Sequence, residues 1–438
     1  HTHTHTHTPS PSSSPFPPIH FLHYFFMSLR SSNSSTVAEE PKLKYQRLTI
    51  TPLPGSTTDR GSTPSAPPRS TTSPAIGQIS LALLHEKALV ICTVNGDIYL
   101  ADIIGNIMKH LTTMPGVPVA GQLDTTGEIA AIVCGGGRLV VLSLFADTPP
   151  LISVSYGRPL LAVALAPDFS ASSSRRVAVG GKAGQLLLRH RGFFRDSDRL
   201  LHSGEGAIYA IAWAGNLIAW ANEVGVKVYD TVAGARITYI DRPRSSPRAD
   251  LYRPVLRWQG TDTLYIGWAD NIKVAAVKTA HGSMPLSTEA GPSVFIEIVA
   301  VFQTDFWVCG LAPLASSSDE LVVLAYVDDD EDDEGGGGRR DALKPELRII
   351  SCATNEELSS DALTIHRYSE NTALDYRLSA LVTDDEDTLF FIVSPHDIVV
   401  ARPRSLDDRV AWLIDQGEFE RALLLADDAL MVDHRTVD

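Results

Sequence analysis

The sequence predicts an all-β fold, a seven-bladed WD-repeat-like β-propeller, followed by the start of an α-helical solenoid. Short apolar runs joined by turns that contain Gly, Asn or Pro repeat from residue 79 to residue 403. Corresponding strands are separated by steps of 41, 47, 40 and 46 residues, measured between Ile98, Leu139, Leu186, Val226 and Ile272. This period, with four strands per unit, is typical of a propeller. After residue 404 the apolar pattern becomes helical.

Each repeat has the same plan, which is a β-rich run, a tight turn and a second β-rich run. The turn at Asn95-Gly96 tolerates positive φ, and Pro395 fixes φ in the turn of the last repeat. The paired runs fall at 88–102, 129–144, 177–190, 216–230, 263–277 and 388–402, and a further unit at 306–327 resumes at 345–351. No repeat has the GH…WD signature, so the seven blades are inferred from the period and the strand pairs.

Three segments have too few apolar residues to offset the entropy cost of ordering, and we predict that they are flexible. They are the leader 1–42 and the insertions 51–77 and 328–341. The leader begins with alternating His and Thr, which we interpret as a gene-model artefact, with Met27 as the suspected start. The predicted domains are the leader 1–42, the propeller 43–403 and a truncated solenoid start 404–438.

A propeller must close its ring or leave edge strands free to pair with other chains. Residues 43–50 alternate between apolar and polar side chains like a half-buried strand. We therefore predict that this segment pairs with residues 398–401 and closes the last blade.

Two short helices are predicted after the propeller. Ser405 with Asp408 resembles a capping box at the start of the first helix. Two helices cannot bury all their apolar residues alone, so we expect Leu413, Ile414 and Leu423 to form an exposed stripe for a following repeat.

The chain is acidic, with 37 Lys and Arg against 52 Asp and Glu and a net charge of −15. This balance argues against a nucleic acid as the partner, and no polybasic patch suits an anionic membrane. No apolar run reaches the roughly 20 residues of a membrane-spanning helix. The four cysteines occur singly, without zinc-ligand spacing or a disulfide framework, which indicates a reducing cytosol. The acidic run 328–334 is interpreted as part of a solvated loop.

No catalytic motif is recognisable, and we predict no enzymatic activity, no cofactor and no catalytic or metal-binding residues. HExxH, GxSxG, GxxxxGKS/T and GxGxxG are absent. The glycine-rich stretches 135–137 and 335–338 do not lead from a strand into a helix, unlike phosphate-binding loops. We interpret them as a blade turn and a loop.

Several polar and aromatic residues have a structural interpretation. His202 and Glu205 flank glycines in a segment that we interpret as an inter-blade loop, and Asp102 and Asp230 end corresponding strands, where turn formation explains them. Four tryptophans at strand positions are interpreted as packed residues rather than a ligand cage: Trp213, Trp220, Trp258 and Trp268.

Taken together, the repeats resemble the vacuolar protein sorting-associated protein 41 family. The resemblance extends in order from about residue 39 to residue 426 and includes EEPKLKYQRL (39–48), VAVGGK (177–182), LHSGEG (201–206), LIAWANEVGVKVYD (217–230), YIGWADNIKV (265–274), FFIVSPHDIVVA (390–401) and DDRVAWLIDQGEFERAL (407–423). It implies a subunit of the HOPS tethering complex, cytosolic and peripheral on late endosomes and the vacuole or lysosome. The implied partners are the other tethering subunits, a late-endosomal Rab GTPase and a vesicle adaptor complex. No residue for partner binding is implied.

Two other functions remain open. A propeller-fold hydrolase would place carboxylates or His at the central channel, and a generic propeller adaptor could serve another assembly. Within the tethering hypothesis, we expect the propeller to recognise partners, while this chain by itself does not assemble the complex.

Overall fold

The structure is a computed structural model, which describes residues 27–28, 41–52, 76–192, 195–243, 245–279, 294–315, 319–327, 343–383 and 387–435. Within these residues, the strands form seven sheets, and the chain runs outwards through each sheet from its innermost strand. The predicted seven-bladed propeller is confirmed. The predicted flexible segments lie almost entirely outside the described residues.

Blades 1 to 3 each have four antiparallel strands in chain order. They are Ile79–His85, Ala88–Thr93, Asp97–Ala101 and Ile107–Thr113 in blade 1; Pro118–Leu123, Ile129–Cys134, Arg138–Ser143 and Ile152–Ser155 in blade 2; and Leu160–Leu165, Val177–Gly181, Gln185–His190 and Ser197–Ser203 in blade 3.

Blades 4 to 6 repeat this arrangement, and the short strand Met27–Ser28 adds in parallel to the outer edge of blade 5. The strands are Ile208–Ala214, Leu217–Asn222, Gly225–Asp230 and Ala235–Asp241 in blade 4; Val255–Gln259, Thr263–Trp268, Asn271–Thr279 and Val294–Gln303 in blade 5; and Trp307–Pro313, Glu320–Tyr326, Glu346–Ser351 and Glu356–Ala362 in blade 6. Two 3₁₀ turns, Tyr368–Glu370 and Ala373–Asp375, lead into blade 7.

The blades pack face to face around a central channel. The innermost strand of each blade contacts the innermost strands of both neighbours, and that of blade 7 contacts that of blade 1. The second strands are enclosed between sheets, which is why Ala88–Thr93 and Leu217–Asn222 are buried at every residue. Their sequences are accordingly apolar almost throughout, rather than alternating.

Tight turns between strands allow this close packing. Gly96 follows the second strand of blade 1 with φ of +93°, and a Cβ there would lie 2.3 Å from the carbonyl oxygen of Met114. Only glycine combines that conformation with that approach.

Blade 7 is closed by the N-terminal segment. Its strands Arg377–Val382, Thr388–Val393 and Ile398–Pro403 are joined by Leu43–Arg47, which pairs antiparallel with Ile398–Pro403. The pairing agrees with the prediction, but the strand ends at Arg47 rather than at residue 50. Leu48 N–H still donates to the carbonyl oxygen of Ile398 at 2.8 Å, and the chain then crosses to blade 1, where Thr51 bridges Asn106.

Two helices follow, α1 (Leu406–Asp415) and α2 (Phe419–Arg435). Ser405 and Asp408 form the predicted capping box. The expected exposed stripe is wrong for Leu413, which is only 2% exposed. Ile414 and Leu423 are exposed, at 48% and 64%.

Candidate interaction site

The two aspartates considered in the sequence lie in separate blades. Asp102 Oδ1 accepts hydrogen bonds from the backbone N–H of Ile104 and Asn106, at 3.2 and 2.8 Å. Asp230 Oδ1 accepts one from Val232 N–H at 2.8 Å. Each aspartate therefore stabilises its own turn, and the structure does not bring the two together.

The tryptophans pack within the blades. Trp258 Nε1 donates to the carbonyl oxygen of Ala212 in the neighbouring blade, at 3.3 Å. The other three are buried: Trp213, Trp220 and Trp268. The four are spread over blades 4 and 5 and do not form an aromatic cage.

His202 and Glu205 meet a buried lysine that the sequence did not single out. The loop before blade 4 places Glu205 Oε2 2.5 Å from Lys227 Nζ. Lys227 Nζ also donates to Asn222 Oδ1 at 3.2 Å. The His202 ring packs on Trp220 with 5.4 Å between ring centroids. This cluster ties the loop after blade 3 to the body of blade 4.

The electrostatics of this cluster favour a charge pair rather than acid–base chemistry. Lys227 has no solvent exposure, and its ammonium lies 4.6 Å from the centre of the Tyr239 ring. The hydrogen bond from Lys227 lowers the pKa of Glu205, while burial lowers the pKa of His202. At neutral pH Glu205 is therefore ionised beside an uncharged His202. The sequence contained one signal for this cluster, a lysine within the mainly apolar strand GVKVYD. In the structure all six residues of that strand are buried.

A second buried charge fastens the closing strand. Asp397 is 4% exposed and accepts hydrogen bonds from Ser394 Oγ at 2.6 Å and from His366 N–H at 3.1 Å. Arg47 Nε donates to Asp397 at 3.0 Å, and its Nη2 donates to the carbonyl oxygen of Thr364 at 2.8 Å. The turn that ends the second strand of blade 7 thus holds both the closing strand and the connection from blade 6.

A third carboxylate joins the propeller to the helices. Asp408 forms the cap of α1 with Ser405, and it also pairs with Lys44 at 2.6 Å and Arg402 at 2.9 Å. The hydrogen bond from Lys44 is the largest of the effects that hold the pKa of Asp408 below its usual range. Because Lys44 and Arg402 belong to the last two strands of blade 7, α1 starts at a fixed place on the closed ring.

The channel wall does not provide the acidic groups that a hydrolase would need. The seven innermost strands contain no Asp or Glu, and their charged residues are Arg257 in blade 5 and Arg377 in blade 7. His85 ends the innermost strand of blade 1 and contacts the carbonyl oxygen of Thr125 at 3.4 Å. These strands therefore do not favour the hydrolase hypothesis.

Neither metal-binding groups nor reactive thiols emerge from the part of the chain that the structure describes. No group of three or more His, Cys, Asp or Glu side chains in it could hold a metal ion. All four cysteines are free thiols, and burial raises the pKa of Cys92 and that of Cys352, the latter to about 11. Among the described helices, none has the length and apolar character to cross a membrane.

Comparison with solved structures identifies the same architecture. The propeller domain of Myceliophthora thermophila Cps50 (Swd1) superposes with a TM-score of 0.55, covering 75% of this chain and 97% of that domain. The two share 12% sequence identity, so the likeness concerns the fold.

Comparison with protein families and curated sequences identifies relatives. Residues 76–403 match the family described as Vps42 beta-propeller, the propeller of Vps41. The Vps41 homologue of Arabidopsis thaliana is 34% identical over 402 residues, which is 88% of this chain and 39% of the homologue. The human homologue is 36% identical over 391 residues, 89% of this chain and 42% of the homologue. The chain thus spans about two-fifths of these relatives, and it belongs to the Vps41 family of vacuolar sorting proteins.

Proposed function

We propose that the protein is a non-enzymatic scaffold subunit of a HOPS-like membrane-tethering complex. It acts in transport from endosomes and vesicles to the vacuole or lysosome, and in the fusion that follows. The observation that supports this most directly is the joint at Asp408, which pairs with Lys44 and Arg402 of the closing blade while it caps α1. A tether needs a recognition domain held in a fixed direction relative to the arm that joins the complex, and this joint is suited to that task.

The propeller is the recognition module in this proposal. Its partners are a late-endosomal Rab GTPase and a vesicle adaptor complex. By binding them, the protein, which is cytosolic in this proposal, associates peripherally with late endosomes and the vacuole or lysosome. Family membership supports this assignment, since the relatives are named for vacuolar protein sorting.

Contacts with the other tethering subunits lie on the helical side of the joint in this proposal. Three apolar residues there are about two-thirds exposed: Phe419 (65%), Leu423 (64%) and Leu424 (65%). Exposed apolar residues that cluster on one element commonly mark a protein-binding surface.

The test is affinity purification of the tagged 438-residue chain from a late-endosomal membrane extract, beside a variant with Leu423→Ser and Leu424→Ser. The intact chain should retain the Rab GTPase in its GTP form and the adaptor, and it should recover the tethering subunits only in substoichiometric amounts, because this chain by itself does not assemble the complex. The variant should lose the tethering subunits and keep the other two, because its propeller is unchanged.

Three results would contradict the proposal. Failure of the intact chain to retain any late-endosomal protein would remove the recognition role. Retention of the subunits of a different assembly would favour the generic adaptor. Stoichiometric recovery of the tethering subunits by the intact chain, or equal retention by both forms, would show that the propeller itself carries the assembly contacts.

A further inference from the structure

The central channel carries positive charge in an otherwise acidic protein. Besides Arg257 and Arg377, Arg253 lies just before the innermost strand of blade 5. None of the seven innermost strands carries an acidic residue, although the whole chain has a net charge of −15. The innermost strands are therefore locally positive, in contrast to the chain as a whole.

Two of these arginines cross the channel. Arg253 Nη1, from blade 5, and Arg377 Nη2, from blade 7, both donate to the carbonyl oxygen of Val119 in blade 2, at 3.4 and 3.1 Å. Two guanidinium groups thus share one acceptor that carries no net charge, and this acceptor does not offset their mutual repulsion.

The third arginine contacts a different part of the channel wall. Arg257 Nη2 donates to the carbonyl oxygen of Ala380 at 3.5 Å. Ala380 lies three residues beyond Arg377 on the same strand, about 10 Å along it at the rise of a β-strand. Positive groups therefore occur at two levels of the channel.

Protein surrounds these groups, which strengthens their attraction for an anion. Burial lowers the pKa of Arg257, and burial lowers the pKa of Arg253 to about 10. Arg253 therefore remains protonated at neutral pH. Arg257 is nevertheless exposed to the channel space, so a small ligand can reach it. The exposed carboxylate of Asp375 acts on Arg253 from outside the innermost strands and offsets part of its charge.

Half-buried cations in the body of the blades have acidic partners instead. Arg348 pairs with Asp305, Glu346 and Glu357 within 3.0 Å. In the channel, the partners of the three arginines are carbonyl oxygens, which do not neutralise a charge. Within the part of the chain that the structure describes, only the Asp375 carboxylate offsets part of this charge, so the site is suited to an added anion.

We propose that the central channel binds a small, multiply charged phosphate compound through Arg253, Arg257 and Arg377. The planar guanidinium group donates paired hydrogen bonds that fit phosphate oxygens. Two levels of positive charge suit a ligand with several phosphate groups. A free compound, rather than a lipid headgroup, is favoured because the two levels of positive charge, about 10 Å apart, lie within a ring of seven blades.

The experiment measures binding of inorganic tripolyphosphate by isothermal titration calorimetry at fixed ionic strength. The wild-type chain should bind it, and Arg253→Met, Arg257→Met and Arg377→Met should each weaken binding at least about 10-fold, as expected for a charged hydrogen-bonding group. Arg138→Met, on the third strand of blade 2, is the matched control and should leave binding unchanged.

A second measurement needs no variant. Phenylglyoxal modifies accessible arginines, and tripolyphosphate should slow modification of Arg257 at least about 10-fold while leaving Arg138 unaffected. In a parallel experiment, the chain is mixed with vesicles that contain a phosphatidylinositol phosphate. We expect no binding of the chain to these vesicles that depends on the three arginines. Unchanged affinity in all three variants, absence of protection, or arginine-dependent binding to vesicles alone would overturn the proposal.

Discussion

Lys227 and Arg257 are both basic residues within the propeller, but Lys227 is buried whereas Arg257 is exposed to the channel, and their partners differ. Lys227 lies in the body of blade 4, where Glu205 Oε2 is 2.5 Å from its ammonium. Arg257 lies in the channel, where a carbonyl oxygen at 3.5 Å is its hydrogen-bond partner. An unpaired charge in a low-dielectric site is costly, so the comparison separates a cation that fixes a blade junction from cations available to a ligand.

Asp397 belongs with Lys227 in this comparison. It is nearly fully buried, and Arg47 and Ser394 satisfy its carboxylate. The buried charged residues that connect neighbouring blades or close the ring therefore have partners of the opposite sign or several hydrogen-bond donors. The four predictions below test this distinction, from the largest expected effect to the smallest.

Deleting residues 43–50 should have the largest effect. The deletion removes the closing strand and Arg47, which leaves Asp397 without its cation and exposes the edge of the strand Ile398–Pro403. Such an edge pairs readily with other chains. We expect aggregation, measured by size-exclusion chromatography and light scattering. A monomeric deletion variant with wild-type stability would show that the ring is closed by other contacts.

Glu205→Gln should destabilise the protein by about 3 kcal/mol, because it leaves Lys227 buried and uncompensated. Urea unfolding, followed by tryptophan fluorescence, measures the free energy of unfolding. Glu128→Gln is the matched control, since Glu128 pairs with Lys87 at the surface, and it should cost less than about 1 kcal/mol. Equal effects of the two substitutions would contradict a special role of the Lys227 pair.

The difference in unfolding free energy between wild type and Glu205→Gln should also depend on pH. This pH effect should be smaller than the effect of the substitution itself, and its sign follows from the pKa of Glu205. Glu205 has a lowered pKa in the folded protein, with Lys227 and His202 as the charged or titratable groups that face it. Its contribution to stability is therefore complete above the unfolded pKa of about 4.3 and declines as pH falls through the lower folded pKa. The gap in unfolding free energy between wild type and Glu205→Gln should narrow from pH 6 to pH 3.5. A gap that widens over this range would contradict the assignment.

Arg257→Met should have the smallest effect on stability in the absence of ligand. Replacing an uncompensated cation by an apolar side chain of similar length removes a desolvation cost, so we expect a change within about 1 kcal/mol, towards greater stability. The same urea titration applies, with Arg138→Met as the comparison. A loss above about 2 kcal/mol would mean that Arg257 is a structural residue, like Lys227.

The sequence was sufficient for the architecture because the architecture follows from local patterns. The strand period, the alternation in residues 43–47 and the capping box at Ser405 are each visible over a few residues. Leu413 was assigned to the wrong surface because the pattern of one helix does not show which side its neighbour covers.

The polar joints could not be predicted because each depends on residues that are distant along the chain. In the sequence, Lys227 is a single charged residue within an apolar strand. Its partner Glu205 lies in a segment whose sequence indicates only a connecting loop. Arg47 and Asp397 are 350 residues apart. The channel arginines meet only once all seven blades are arranged around one axis.

The distance between Arg47 and Asp397 also has a consequence for synthesis. A ribosome adds about 5 to 20 residues per second, so the partner of the closing strand is made about 20 to 70 s after the strand itself. During that interval blades 1 to 6 can fold one after another, while the first strand has no sheet to join. Ring closure is then the last step of folding, and the helices after residue 405 acquire their direction only when it is complete.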